Sequence, residues 1–394
     1  MQILTASHAF SDVFAQIPVG QFTQRHTAPG LAPKRVTMPV EGTREKAMGP
    51  DQHTIPCVDI APLVRGTRLG ATVASDAERT AAASLDLAAR SAGFFYVTGH
   101  GVGDDSIDGA LRASKRLFAL PDATKMSLRA RGGEGAGYEP SGAQKLDEGR
   151  LGEMLELGEG VDGESGGDQK ESYIAGNMTG NGGRLDAQWP VGLDGFEEAV
   201  TRYHADCRVV SAALMRGFAV ALGLPPDRFE KDIDDPFTKL RLLRYPAKKK
   251  EEGAIDPYVG DRAGCGAHTD WGALTLLIQD DVGGLEVCAP QRHEAAAPIW
   301  IPADAVPGAI LANVGDMLLR WTDGRYRSAP HRVLAPKTPG TDRHSVAFFL
   351  NCNVDAAVDA RSLGLAAGDG AEPKWPPITA MGYIEERVAA TYSA

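Results

Sequence analysis

The sequence predicts an α+β chain with a mainly β core, and three observations carry that prediction. After Pro225, short β-branched or aromatic runs recur between Gly, Pro and Asp turns: "LRLLRYP" (240–246), "GALTLLIQD" (272–280), "GLEVCAP" (284–290), "AILANVGDMLLRWT" (309–322) and "SVAFFLNCN" (345–353). Repeated short strands of this kind argue for a sandwich or barrel. Before Pro225 the apolar spacing is helical over 76–92, 107–121 and 193–222, and "ITAMGYIEERVAATYS" (378–393) closes the chain as a helix.

Each element follows from local chemistry. "TIPCVDIAPL" (54–63) reads as a short strand ending in a Pro-marked turn, and "GFFYVTGHGV" (93–102) as a buried strand bounded by glycines. Pro121 stops the amphipathic helix before it. Residues 160–172 and 175–184 read as Gly-rich loops, too polar for a core. The layout predicts a loosely ordered or draped extension over residues 1–53, a helical or mixed region over 54–225, and a β core with a terminal helix over 226–394. Residues 54–394 are expected to form one integrated unit.

Bulk properties narrow the partners. The 394 residues carry a formal net charge of -11, and no basic stripe offsets it, which argues against nucleic acid or an anionic membrane. The run "AKKKEEG" (247–253) is self-neutralising. No apolar stretch approaches the roughly 18 residues of a membrane span. Five scattered cysteines without a CxxC pair fit a reducing compartment, so a cytoplasmic location is expected. The chain is also expected to be a monomer. Arg25, Lys34 and Arg35, with Asp12 the single acid before Glu41, leave organellar targeting open.

The chemistry concentrates in "GAHTDWGALTLLIQDD" (266–281). Strand side chains alternate, so His268 and Asp270 are expected on one face and Thr269 on the other. Of nine histidines, His8, His26 and His53 fall in the loose arm and His293 in a polar loop. His100 reads as a turn residue, His204 as mid-helical, and His344 as facing away from Arg343 and Ser345. His331, in "RSAPHRVLAP", remains as the third member. Two histidines and one carboxylate leave open positions, which suits non-haem Fe(II). Zinc in structural sites prefers four protein ligands, and Cys265 reads as a small apolar residue rather than a fourth. In "TDRHSVAFFLN", Arg343 and Ser345 share a face, and a guanidinium beside a hydroxyl can grip a carboxylate. Such a couple would anchor the far end of a keto acid whose near end chelates the metal.

These motifs, in this order, resemble the isopenicillin N synthase-like branch of the Fe(II)/2-oxoglutarate-dependent dioxygenases. The resemblance runs from Ile55 to the C-terminal helix and includes "IPCVDIAPL", "GFFYVTGHGV", "GYEPSGAQKLD", "QWP", "RYP", "HTDWGALTLLIQDDVGGLEV", "NVGDMLLRWTDGRYRSAPHRV" and "RHSVAFFLN". It implies a double-stranded β-helix (jelly roll, cupin-like) flanked by N-terminal and C-terminal helices. It also implies that His268, Asp270 and His331 bind Fe(II), and that Arg343 and Ser345, assisted by Tyr245, bind 2-oxoglutarate. Tyr138, Phe349 and Asn351 become candidate substrate contacts. The implied activity is O2-dependent hydroxylation of a small organic molecule, with release of succinate and CO2. Leu243 departs from the Asn that many plant members carry. Isopenicillin N synthase keeps the Arg-x-Ser couple without using 2-oxoglutarate, so an oxidase, cyclase or desaturase is the alternative. A non-catalytic β-core binding protein and a zinc hydrolase are further options.

Overall fold

The computed structural model describes residues 54–129, 136–144, 146, 168–177, 185–247, 263–290, 298–336, 338–364 and 372–392. The N-terminal extension expected over residues 1–53, the run 248–253 and most of the two Gly-rich stretches lie outside them.

Strand β1 (Cys57–Asp59) leads directly into helix α1 (Ala61–Arg68), so the short strand is found and the Pro-marked turn expected after it is the start of a helix. Pro62 sits at the start of that helix, where its missing N–H costs nothing. Helix α2 (Asp76–Ser91) begins with a capping box, Ser75 and Glu78 each accepting from the other's backbone amide. β2 (Phe94–Thr98) and α3 (Asp104–Phe118) follow, then a short α4 (Asp122–Ser127). The long α5 (Phe196–Ala221) buries Val200, Tyr203, Cys207, Val210, Leu214 and Phe218. It packs against α1, α2 and α3.

Two sheets carry the β core. The larger draws on β3 (Gly137–Glu139), β4 (Glu171–Asn177), β5 (Thr238–Tyr245), β7 (Leu274–Gln279), β10 (Ile310–Val314) and β12 (Arg343–Leu350), in the order β1-β2-β10-β7-β12-β5-β4-β3. The smaller runs β6-β11-β8-β9, from β6 (Ala263–His268), β8 (Leu285–Cys288), β9 (Trp300–Pro302) and β11 (His331–Leu334). Alternation along β12 separates the layers. Val346, Phe348 and Leu350 join the apolar core shared with the helices, whereas Ala347 packs with Leu243, Tyr245, Cys265, Leu285, Val287 and Val333 between the sheets. The arrangement is the expected jelly roll. Helices α6 (Glu230–Ile233), α7 (Asp316–Trp321) and α8 (Ala380–Tyr392) complete the described helices, and β13 (Ala357–Val358) pairs with β14 (Ile378–Thr379).

Two sequence expectations change. Residues 171–172 and 175–177, expected in loops, belong to β4, which pairs with β3 on one side and β5 on the other. The charges at its start and just before it are buried because they are paired: Glu171 with Lys125 at 2.7 Å, and Lys170 with Asp168 at 2.5 Å. The run 309–322, expected as a strand, splits at Gly315 into β10 and α7. A Cβ at Gly315 would meet the Gly272 carbonyl oxygen at 2.2 Å, so only glycine permits this close approach.

Helices α2 and α5 are joined by a buried ion pair, Arg216 Nε to Glu78 Oε1 at 2.8 Å, both side chains 4% exposed. Removing one partner strands a buried charge. Glu78→Ala is therefore expected to cost about 3–5 kcal/mol in urea unfolding, and the double change to apolar residues markedly less. Burial pushes the Glu78 carboxyl up, but the Ser75 amide and Arg216 outweigh it and hold it below its ordinary 4.5. The pair's stabilisation is then full above about pH 4.5 and is lost as pH falls through the lowered value. Unfolding midpoints across pH 3–7 should show that loss in the native chain and not in Glu78→Gln.

Candidate metal centre and anion pocket

His268 is the last residue of β6 and His331 the first of β11, and the two are direct partners in the antiparallel register. Their rings lie 4.3 Å apart. Each Nδ1–H donates to the carbonyl two residues earlier, His268 to Gly266 at 2.8 Å and His331 to Ala329 at 3.2 Å. Those bonds turn both Nε2 atoms toward Asp270 Oδ1, at 3.9 and 3.7 Å. Phe94 packs edge-on against the His331 ring.

Asp270 does not share a strand with His268. It lies in the bend that carries the chain from β6 to β7, in the other sheet, so the apolar run behind it is a separate strand. Convergence comes from the bend and its clamps rather than from alternation. Asp270 Oδ2 accepts from Thr275 Oγ1 at 2.6 Å and Asn313 Nδ2 at 2.8 Å, leaving Oδ1 to face the imidazoles. Residue types alone do not identify these holders, although a lone polar side chain inside each of "GALTLLIQD" and "AILANVGD" was a signal.

The electrostatics suit a cation. Burial holds both imidazoles below their ordinary value, His331 at about 4. Burial opposes ionisation of Asp270, yet the two histidines, Thr275 and Asn313 together hold its carboxyl below the usual range. The site thus offers two neutral imidazoles and one carboxylate, the ligand protonation states a divalent metal requires. All three donor atoms lie within 4.8 Å of one another, and no other such group occurs among the described residues. Cys265 is no fourth ligand: its sulfur lies 3.9 Å from His268 Nδ1, the nitrogen turned away, and 3.1 Å from Lys170 Nζ. The donor set therefore fits Fe(II) with open positions, not a closed zinc site.

Arg343 is 1% exposed. It donates to Gln279 Oε1 at 2.6 Å and to Ser345 Oγ at 3.4 Å, and its guanidinium lies 4.8 Å over the Tyr245 ring. The register sets this grouping, pairing Arg343 with Tyr245 and Ser345 with Leu243 and Gln279. Its Nε has no partner, and among the described residues no acidic side chain pairs with it. A buried, unpaired cation is costly unless a ligand neutralises it. Gln279 is the contact that residue pattern did not reveal.

A cavity borders the triad, lined in part by His268, Asp270, Phe349 and Asn351. Tyr138, the third sequence candidate, is not among its lining residues. It points to the other face of β3, where its hydroxyl donates to Glu171 at 2.5 Å. Its neighbour Glu139 lines the cavity instead, because adjacent strand residues face opposite ways. His204 bonds Thr238 within the core, and His344 packs on Phe118, away from the site.

A two-histidine, one-carboxylate centre and a buried anion pocket between the sheets of a jelly roll define a non-haem oxygenase. The comparisons agree. The model described as 2OG-Fe(II) oxygenase superfamily matches residues 237–351, and that described as non-haem dioxygenase in morphine synthesis N-terminal matches 55–178. Homoarginine-6-hydroxylase 2-ODD-233 of Oryza sativa subsp. japonica is 34% identical over 320 residues, 79% of this chain and 90% of that protein. The 2-oxoglutarate-Fe(II) type oxidoreductase hxnY of Emericella nidulans is 33% identical over 76% of this chain and 80% of its own. A full-length Neurospora crassa protein, crystallised in complex with alpha-KG and thymine, superposes with a TM-score of 0.69 and 26% identity, covering 88% of this chain and 99% of that one. The chain belongs to the 2OG-Fe(II) oxygenase superfamily and is a non-haem Fe(II)/2-oxoglutarate-dependent dioxygenase.

Asn313→Ala frees one side of the Asp270 carboxylate. It is expected to weaken Fe(II) or Co(II) binding about 10–100-fold, measured by anaerobic titration, with little change in the unfolding midpoint of the metal-free protein.

Proposed function

We propose that His268, Asp270 and His331 hold the Fe(II), and that Arg343, Ser345 and Tyr245 receive the distal carboxylate of 2-oxoglutarate. The observation that carries the second assignment is the Arg343 guanidinium, buried beside a hydroxyl and without an acidic partner among the described residues. The same observation favours 2-oxoglutarate over the oxidase reading, in which that charge has no cosubstrate to meet.

With Fe(II), 2-oxoglutarate and O2 bound, the metal supplies the oxidising chemistry, converting the keto acid to succinate and CO2 and oxidising a substrate C–H bond. The protein's part is placement. Thr275 and Asn313 keep one oxygen of Asp270 aimed at the metal position, and the Gly266 and Ala329 carbonyls fix the tautomers of both histidines. Arg343 sets the angle of the cosubstrate, and Phe349 and Asn351 border the space left for substrate. Hydroxylation is the outcome we assign. We read the chain as a cytoplasmic monomer acting on a free small molecule. Among the described residues no helix is long and apolar enough to cross a membrane.

Arg343→Ala is expected to raise the Kd for 2-oxoglutarate about 10–100-fold, the weight of a charge-assisted contact, while metal affinity changes less than threefold (~0.6 kcal/mol). Equal losses of both would remove the assignment. Succinate formed in step with hydroxylated product verifies the reaction, and product without succinate would favour the oxidase.

A further inference from the structure

The three ligand positions are not held alike. His268 and His331 are register partners between two strands, so sheet pairing fixes their backbone. Asp270 lies off the strands, in the bend, and its backbone depends on whatever grips that bend. Part of the grip comes from the far end of the chain. The first turn of α8 is tied down by the amides of Ala380 and Met381, which donate to the carbonyls of Ala356 and Val354 at 2.9 and 3.0 Å. One turn on, Tyr383 is 4% exposed. Two guanidinium groups lie over its ring, Arg320 of α7 at 5.1 Å and Arg387 of α8 at 5.3 Å from the centroid. Such contacts steady the ring, and its hydroxyl donates to Asp316 Oδ2 at 2.7 Å.

At Asp316 the contact turns toward the metal centre. The same Oδ2 accepts from Thr269 Oγ1 at 3.2 Å, and the Asp316 amide donates to the Asp270 carbonyl at 2.8 Å. One residue thus holds the pair 269–270 by side chain and by backbone. Thr269 turns its hydroxyl to Asp316, while Asp270 presents Oδ1 to the imidazoles. Thr269, Asp316 and Tyr383 are all less than a tenth exposed, so a partner lost here is not readily replaced. A bond that served only to dock the helix could end on any acceptor. This one ends on the oxygen that the residue adjoining a metal ligand also uses.

We propose that Tyr383 is a positioning residue for the metal centre: its hydroxyl fixes the Asp316 carboxylate, which fixes Thr269 and with it the bend that presents Asp270. This rests on the assignment of the metal to His268, Asp270 and His331. The terminal helix, 67 residues beyond Asp316 at Tyr383, is then part of the scaffold of that centre rather than a cover added to a finished core.

The test is anaerobic titration of the full chain with Co(II), a coloured stand-in for Fe(II), read by affinity and by visible absorption. Tyr383→Phe keeps the ring beside both guanidinium groups and removes only the hydroxyl. It is expected to raise the Co(II) Kd about threefold to tenfold, the weight of one lost hydrogen bond, and to shift the visible bands, which report ligand geometry. Thr269→Val, on the other side of Asp316 Oδ2, should act alike. The two together should cost less than the product of their separate effects, because both work through one carboxylate. Val388→Ala trims an apolar side chain that packs on the core from the same helix, and it should leave Kd and bands as they are. Native Co(II) affinity and bands in Tyr383→Phe would overturn the proposal. So would fully multiplicative losses, or an equal loss in Val388→Ala, which would make the effect one of helix docking. His331→Ala checks the metal assignment separately: Co(II) affinity that survives it would place the metal elsewhere and remove the assignment itself.

Discussion

The bend over residues 270–273 is the constraint on which the rest of this structure depends. The amides of Gly315, Asp316 and Met317, at the start of α7, donate to the carbonyls of Ala273, Asp270 and Gly272 at 3.0, 2.8 and 3.0 Å. These bonds hold the bend where the chain leaves one sheet for the other. Asp270 is thereby fixed in backbone as well as in side chain, and its carboxylate reaches two histidines from a different sheet. Glycine at 315 lets the two segments come this close, and glycine at 272 lets the bend approach the end of β12, where a Cβ would meet the Leu350 carbonyl oxygen at 2.6 Å. A helix start thus does structural service for a metal centre it never touches.

Around that point the two sheets divide the labour. The larger sheet carries Tyr245, Arg343 and Ser345 on β5 and β12 and buries its other face against α5 and its neighbours. The smaller sheet contributes both histidines. Because the two histidines and Asp270 come from different layers, the packing between them sets their separation, and close-packed interiors give little slack for it to drift. The cost of burying Arg343 and Asp270 is met in different ways. Asp270 is satisfied within the protein by Thr275 and Asn313, whereas Arg343 keeps an unpartnered nitrogen. The first is thereby preorganised and the second receptive.

The segment entering strand β4 shows why polar sequence is a poor guide to exposure here. Asp168, Lys170 and Glu171 are each less than a tenth exposed, although composition alone places them on the surface. Asp168 and Lys170 pair with each other, whereas Glu171 draws its partners Lys125 and Arg244 from segments distant in sequence, and burial is tolerable only once those partners are in place. Lys125, which bonds Glu171, lies 46 residues earlier. No local period can announce such a pairing. The same holds for Tyr138 and Glu139, where a one-residue difference in facing decides which of the two meets the cavity.

His268, Asp270, His331, Arg343 and Ser345 could be proposed from residue type, spacing and motif order, and the structure brings the first three together and sets Arg343 beside Ser345. Metal and carboxylate chemistry need those groups, and few others in the chain could supply them. The alternation of β12 was legible too, because period two follows from strand geometry alone. What only the tertiary structure decided is how those groups are held: Asp270 on a bend rather than a strand, and Asn313, Thr275 and Gln279 as their supports. It also decided that Glu139 rather than Tyr138 lines the cavity beside the triad. Those facts depend on contacts between strands far apart in sequence, and such contacts exist only once the two sheets have closed on each other.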